Sequence, residues 1–176
     1  QINTNELESD LSYENLTTKI IQPFIGSEIN DEDLHSIIKS AYKDFSSPDP
    51  VTFKKLSRGE TVVELFNGPT LAFKDFAMQL LIPIFDYFLD KEDRQMKLIV
   101  ATSGDTGSAA IHAVNKSKNL NIYCLYPKNR ISEFQRRQMT KVKSNKINLF
   151  EINGTVDDCQ NSVKEYNLKR ILKFMK

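Results

Sequence analysis

Apolar residues recur at helical spacing in the first quarter of the chain. Between residues 11 and 45 they repeat every three or four positions, as at Leu34, Ile38 and Ala41, which is the period of a helix with one buried face. Residues 30–33 supply an asparagine followed by three acidic side chains, a typical helix start. We therefore predict a small helical region that ends at the Ser- and Pro-rich segment 46–50.

The next part of the chain changes from an extended to a helical pattern. Residues 51–66 are expected to be extended, with a short apolar strand over 62–66. After the turn residues 67–70, apolar side chains recur at three- and four-residue intervals over 73–88, which predicts a long helix. Pro83 lies inside that pattern and is expected to kink or end the helix.

From residue 96 onward, strand and helix patterns alternate. Apolar runs of strand length occur at residues 98–101, 122–126 and 147–152, and a helical pattern follows each of them. Such alternation predicts βαβ units with a parallel sheet. The predicted fold class is α/β, a mostly parallel sheet with flanking helices behind the small helical region. We place the two regions at 1–60 and 61–176.

Composition and charge exclude several classes of function. The chain has 176 residues and a formal net charge of +1, so no electrostatic footprint for nucleic acid or an anionic membrane is expected. No apolar run approaches the roughly 20 residues that span a bilayer, and no signal-peptide pattern is visible. Two cysteines and two histidines are too few for a disulfide framework or a metal cluster. We expect a cytoplasmic protein without a metal site.

Two of the six glycines lie in a segment that connects a predicted strand to a predicted helix: Ser103, Gly104, Asp105, Thr106 and Gly107. Open α/β sheets bind ligands at this end of their strands, and glycines let backbone N–H groups turn towards an anion that the helix dipole also favours. A carboxylate or phosphate is the expected ligand. The alternative is a tight turn in which Asp105 or Thr106 caps the helix. The glycine spacing matches neither a Walker A loop nor a dinucleotide fingerprint.

Lys74 lies among apolar and aromatic residues near the start of the predicted long helix. Burial disfavours a charged ammonium and lowers its pKa, which makes the amine a nucleophile able to form a Schiff base. The alternative is a lysine whose stem covers apolar surface while its ammonium reaches water, with Asp75 pairing a cation at the helix start. The constrained segment 67–70 directly before Lys74 favours the functional interpretation.

For the other polar candidates, a structural interpretation is preferred. Glu64 is expected to face solvent, Asn67 to serve a turn, and Cys124 to lie in the core. Four further candidates are expected to occupy solvated helix faces or structural positions: Arg136, Arg137, His35 and His112.

Two segments together resemble one enzyme family. Residues 64–76, Glu-Leu-Phe-Asn-Gly-Pro-Thr-Leu-Ala-Phe-Lys-Asp-Phe, closely resemble the cofactor-lysine motif of threonine synthases. Residues 101–107, Ala-Thr-Ser-Gly-Asp-Thr-Gly, resemble the substrate-carboxylate loop of the same family. Residues 22–26 and 157–160 are also similar to that family, so the likeness covers essentially the whole chain. One departure is Asn67, where many members have histidine.

The resemblance implies an enzyme that uses pyridoxal 5'-phosphate (PLP) and has the tryptophan-synthase-like fold, fold type II. It implies conversion of O-phospho-L-homoserine and water to L-threonine and phosphate. By matching position, Lys74 would carry PLP as a Schiff base and then move protons at the substrate's Cα and Cβ. Residues 103–107 would hold the substrate carboxylate, with Asp105 near the ring oxygen of the cofactor.

Members of this family are much longer than this chain. The resemblance places their glycine-rich phosphate cup, and the group that faces the pyridine nitrogen, further along than residue 107. Since the sequence also starts without Met and stops within a helical pattern, we expect the front part of the enzyme, inactive by itself and without tight PLP binding. Two alternatives stay open: another fold type II enzyme, such as a threonine dehydratase or a cysteine synthase, and a non-catalytic module derived from the fold.

Overall fold

The computed structural model describes the backbone of residues 12–174 and the side chains of residues 12–167. The chain forms two compact units, one up to Ile84 and the other from Phe85 onward. The first eleven residues of the predicted helical region lie outside the described residues. The boundary placed at residue 60 stays a prediction.

The helical region at the start of the chain consists of two helices. α1 (Tyr13–Ile25) ends at Gly26, whose φ of +60° favours glycine, and α2 (Asp31–Tyr42) begins after Asn30. The side-chain oxygen of Asn30 accepts from the backbone N–H of Asp33 at 2.8 Å, so the predicted helix start is confirmed. One side of α2 is buried: Leu34, Ile38, Ala41 and Tyr42.

A short antiparallel hairpin occupies the segment that was predicted to be extended. β1 (Thr52–Lys55) pairs with β2 (Thr61–Glu64). Leu65 and Phe66, which the apolar pattern assigned to the strand, lie beyond its end. The two valines of β2, at positions 62 and 63, are 43% and 51% exposed, because a two-stranded hairpin by itself buries little side-chain surface.

α3 (Lys74–Lys91) begins in the first unit and continues into the second. Pro83 was expected to kink or end this helix. It lies inside α3 and does not end it. A proline removes the hydrogen bond of its own missing N–H, and the loss is offset by burial of Ile82 and Leu89 on either side of it.

The second unit contains a three-stranded parallel sheet. Its strands lie in the order β3 (Met96–Ala101), β4 (Leu120–Pro127) and β5 (Ile147–Ile152). In the register of this sheet, Cys124 in the central strand lies opposite Val100 and Leu149. The predicted α/β alternation is confirmed.

One helix follows each strand of the sheet: α4 (Asp105–Lys116), α5 (Glu133–Thr140) and α6 (Val156–Phe174). The core of this unit lies between α4 and the central strand, where Ile111, Val114 and Ile122 are buried. All three strands run the same way. Their carboxyl ends therefore share one edge of the sheet, and residues 103–107 leave β3 at that edge.

Candidate active site

Lys74 is the first residue of α3, and its side chain is half-buried. Its Nζ lies 4.3 Å from the centroid of the Phe73 ring, within the range of a cation–π contact. Phe73 is itself 57% exposed. The apolar neighbours of Lys74 in the sequence predicted that its amine is enclosed in an apolar core. In the structure the amine is neither enclosed in this way nor fully in water.

Asp75 closes the segment that precedes this lysine. Its carboxylate is fully buried, and it accepts from the backbone N–H of Thr70 at 2.8 Å and from the Thr70 hydroxyl at 2.9 Å. Gly68 is required here because a Cβ would lie 2.4 Å from Asp75 Cβ. Leu71 lies between them with a φ of +62°, which costs a leucine about 1–2 kcal/mol. These contacts fix the conformation of segment 67–75, in which Lys74 is the first residue of α3.

Asn67 is buried and fastens this closed segment to the chain before it. Its Nδ2 donates to the Pro50 carbonyl at 3.0 Å and to Thr52 Oγ1 at 3.2 Å. Its backbone carbonyl accepts from the N–H of Ser46 at 2.8 Å. Asn67, the position that departs from the family pattern, is therefore an anchor and not only a turn residue.

Glu64 is half-buried, so the expectation that it faces solvent is wrong. Its Oε2 accepts from the hydroxyl of Thr52 at 2.8 Å. The antiparallel register places these two residues directly opposite each other, and this pairing could not be read from the apolar pattern of either strand.

Thr102 organises the loop of residues 103–107, which we call the anion loop. Thr102 is buried, and its Oγ1 accepts from the N–H of Gly104 at 3.0 Å and of Gly107 at 2.9 Å. These two glycine N–H groups are therefore used within the protein, although the sequence predicted that they face a ligand. A Cβ on Gly107 would lie 2.5 Å from Thr102 Cγ2. Thr102 was not predicted as a site residue, and its only signal is a hydroxyl directly before the loop.

Three other N–H groups of the anion loop are available to a ligand. No protein acceptor is found among the described residues for the N–H groups of Ser103, Asp105 and Thr106. Gly104 is the N-cap of α4 and has no side chain with which to cap the helix, so the alternative in which Asp105 or Thr106 caps it is wrong. Thr102 takes the N–H of Gly107 in the first turn of α4. The donors that stay unpaired combine with the positive end of the helix dipole, and this combination suits a small anion.

Gln135 of α5 contacts the anion loop and was not predicted as a site residue. Its Nε2 donates to Asp105 Oδ1 at 2.7 Å. Ser132 and Gln135 form a capping box at the start of α5. The same side chain therefore serves the start of α5 and contacts the first residue of α4.

Two arginines and one cysteine occupy the structural positions that were expected. Arg136 and Arg137 both pair with Glu133 at 2.8 Å on the solvated face of α5. Their hydrogen bonds hold the pKa of Glu133 at about 2. Cys124 is buried in β4, and its burial raises the pKa of the thiol to about 12.

The two histidines lie on different helices. His35 is exposed on α2, and His112 is half-buried on α4. Within the described part of the chain, no three His, Cys, Asp or Glu side chains are grouped so that they could hold a metal ion. None of the helices in that part is long and apolar enough to cross a membrane.

The predicted site residues fall into two groups. Lys74 lies in the first unit with Asp75 and Thr70, which hold its segment. The anion loop lies in the second unit with Thr102 and Gln135. Each group is built locally, by contacts within its own unit.

Comparison with known proteins finds threonine synthases. A family model described as the threonine synthase N terminus matches residues 1–42. The threonine synthase of Pseudomonas aeruginosa is 43% identical over 154 residues, 88% of this chain and 33% of that protein. The Saccharomyces cerevisiae enzyme is 38% identical over 169 residues, 89% of this chain and 33% of that protein. Threonine synthase-like 2 of Homo sapiens is 37% identical over 157 residues, 89% of this chain and 32% of that protein.

Solved structures give the same result. PLP-bound threonine synthase from Brucella melitensis matches with a TM-score of 0.84 and 40% identity, over 92% of this chain and 34% of that chain. The yeast enzyme matches with a TM-score of 0.85 and 37% identity, over 93% and 35%. This confirms the fold type II framework, and the chain spans about a third of the length of these relatives. In sequence and in fold, the chain is similar to the amino-terminal part of threonine synthases.

Proposed function

We propose that this chain is part of a threonine synthase, a carbon–oxygen lyase that uses PLP to convert O-phospho-L-homoserine and water to L-threonine and phosphate. The observation that carries the proposal is the match to the PLP-bound enzyme of B. melitensis, 40% identical over 92% of this chain. Because the chain spans about a third of that relative, the activity is assigned to the whole protein. A cytoplasmic location is part of the proposal, supported by two free cysteines.

The residues of this chain fit PLP in part. Lys74 offers a half-buried primary amine, the group that bonds covalently to an aldehyde. The hydrogen bonds between Thr70 and Asp75 hold its segment at the start of α3. We assign the covalent attachment of PLP to Lys74. The phosphate and the ring nitrogen of the cofactor are assigned to no residue of this chain.

We assign the substrate carboxylate to the anion loop. The donors are the backbone N–H groups of Ser103, Asp105 and Thr106, supported by the positive end of the α4 dipole. Gly104 and Gly107 shape the loop, since both lack room for a Cβ. We also assign Asp105 to the binding of the cofactor, as the resemblance implies.

The chain's own residues would then have separate tasks. When bound, PLP supplies an electron sink for negative charge next to the substrate's amino-bearing carbon. Lys74 Nζ holds the cofactor in the resting enzyme, and it takes up and returns protons at Cα and Cβ of the substrate. The anion loop keeps the carboxylate in place during these proton transfers. In the overall reaction the bond between Cγ and the phosphate ester oxygen breaks and phosphate leaves. Cγ gains a proton, Cβ loses one and takes the hydroxyl group of water, and the second proton of water goes to the released phosphate.

The reaction has to be assigned by measuring its products, because sequence identity does not separate threonine synthases from proteins named threonine synthase-like 2. Relatives named threonine synthase-like 2 from Mus musculus and H. sapiens are 39% and 37% identical, and the yeast threonine synthase is 38% identical. The assay therefore supplies O-phospho-L-homoserine or L-serine and measures phosphate, L-threonine and consumption of the supplied amino acid. Phosphate without threonine, or turnover of serine alone, would contradict the proposal.

Replacement of Lys74 tests its assigned role in the complete enzyme. Lys74→Ala is expected to lower threonine formation at least about a hundredfold, the usual effect of losing a group that transfers protons. Lys91→Ala is the matched control, because Lys91 is in the same helix and its Nζ also lies 4.3 Å from a neighbouring ring, that of Tyr87. Borohydride reduction followed by peptide mass spectrometry should place the cofactor on Lys74, and attachment to any other lysine would overturn the assignment.

The 176 residues alone are expected neither to bind PLP tightly nor to turn over substrate. The reason is that this chain supplies the assigned amine and carboxylate loop but no assigned partner for the cofactor phosphate. Absorbance spectroscopy with added PLP measures this directly. A cofactor band in the isolated chain that disappears in Lys74→Ala would show that the expectation is wrong.

A further inference from the structure

Both the oxygen and the nitrogen of the Gln135 side-chain amide form hydrogen bonds. Its Oε1 accepts from the backbone N–H of Ser132 at 3.3 Å and from the Ser132 hydroxyl at 3.0 Å. Its Nε2 donates to Asp105 Oδ1 at 2.7 Å. A carboxylate can only accept, so the amide has one orientation that satisfies both partners. Ser132 thereby orients the group that holds Asp105.

Gln135 also packs closely against the backbone of the anion loop. A Cβ added to Gly104 would lie 2.4 Å from Gln135 Cδ. The φ of Gly104 is +143°, a backbone conformation that residues other than glycine rarely adopt. The shape of the loop at its N-cap is therefore matched to the glutamine that covers it.

The contact has an electrostatic consequence for an anion at the loop. Asp105 is exposed and carries a carboxylate next to the N–H groups that would receive another carboxylate. Like charges at short distance repel, so the position of the Asp105 carboxylate matters for an anion at the loop. The hydrogen bond from Gln135 Nε2 fixes that carboxylate on the side of α5.

We propose that Gln135 is a positioning residue for the substrate carboxylate: it holds the Asp105 side chain against α5 and leaves the N–H groups of Ser103, Asp105 and Thr106 to the ligand. The proposal rests on the proposed function of the anion loop. Gln135 touches neither substrate nor cofactor in this role. It acts on the loop through Asp105 and Gly104.

Gln135→Glu in the complete enzyme tests the proposal. Glutamate keeps the size of the side chain and suits the capping box, but it places a carboxylate against that of Asp105. Loss of a hydrogen bond to a charged group is expected to raise KM for O-phospho-L-homoserine about tenfold, with kcat changed less than about threefold. Arg137→Gln is the matched control: it changes the net charge by the same amount on the same helix, at an exposed position, and should leave KM unchanged.

A second measurement does not depend on activity. Hydrogen exchange of residues 102–110 is followed by mass spectrometry with and without saturating acetate, which carries only the carboxylate. Acetate should slow exchange in the wild type and in Arg137→Gln but much less in Gln135→Glu. The double variant Gln135→Glu with Asp105→Asn restores a donor facing an acceptor and should regain the acetate effect.

The two proposals fail in different ways. A wild-type enzyme that forms no threonine overturns the proposed function, while the acetate experiment still decides the role of Gln135. A Gln135→Glu enzyme with wild-type KM and a wild-type acetate effect overturns the positioning role, as does a wild-type loop that acetate does not protect. If Gln135→Glu lowers kcat and leaves KM unchanged, the residue does not position the carboxylate.

Discussion

Thr102→Val removes the acceptor that organises the anion loop and keeps the shape of the side chain. In the native structure, Thr102 Oγ1 accepts from two buried N–H groups, at 3.0 Å from Gly104 and at 2.9 Å from Gly107. A buried donor left without a partner costs about 1–3 kcal/mol. For two such donors we expect the free energy of unfolding of the second unit to fall by about 3 kcal/mol.

Thr102→Ser is the matched control, because it keeps the hydroxyl and removes only the methyl group that lies against Gly107. Its expected cost is about 1 kcal/mol, the value of one buried methyl group. Native-state hydrogen exchange of the amides of the central strand β4 measures the stability of this unit by itself. The valine variant should exchange about a hundredfold faster than wild type, and the serine variant less than about tenfold faster. Equal exchange in the two variants would refute the assigned role of the hydroxyl.

Two further predictions concern the packed segment before Lys74 and the buried thiol of β4. Gly68→Ala places a methyl group 2.4 Å from Asp75 Cβ, so it should destabilise the first unit by about 1–3 kcal/mol; limited proteolysis within residues 67–75 should accelerate, and wild-type resistance would show that the segment can relax. Burial raises the pKa of the Cys124 thiol from 9.0 to about 12, so the thiol ionises at a lower pH in the unfolded chain than in the folded one. The free energy of unfolding that this group contributes below pH about 9 is therefore lost as the pH rises towards about 12. Denaturant titrations across this range should therefore show a steeper fall for wild type than for Cys124→Ala, and parallel curves would contradict the burial argument.

The parallel sheet could be predicted because each strand of the second unit is an apolar run of its own. β5 was predicted over the residues that form it, and β3 and β4 within two residues at either end. The first unit was harder to predict, because its hairpin leaves Val62 and Val63 half-exposed, and an apolar pattern does not tell a strand buried in a layer from an exposed one. Pro83 was ambiguous for a similar reason, because whether a proline ends a helix depends on what the neighbouring side chains bury.

The sequence by itself determined the class of fold, the family, and the two segments to which function is assigned, since motif chemistry is local in the chain. Only the tertiary structure decided how those segments are held. Asp75, Asn67, Thr102 and Gln135 act through partners 2 to 30 residues away, and the hydrophobic periodicity of the sequence does not show such pairs. The tertiary structure also decided which donors of the anion loop remain for a ligand. The N–H groups of Gly104 and Gly107, which the sequence predicted to face a ligand, donate to the buried hydroxyl of Thr102.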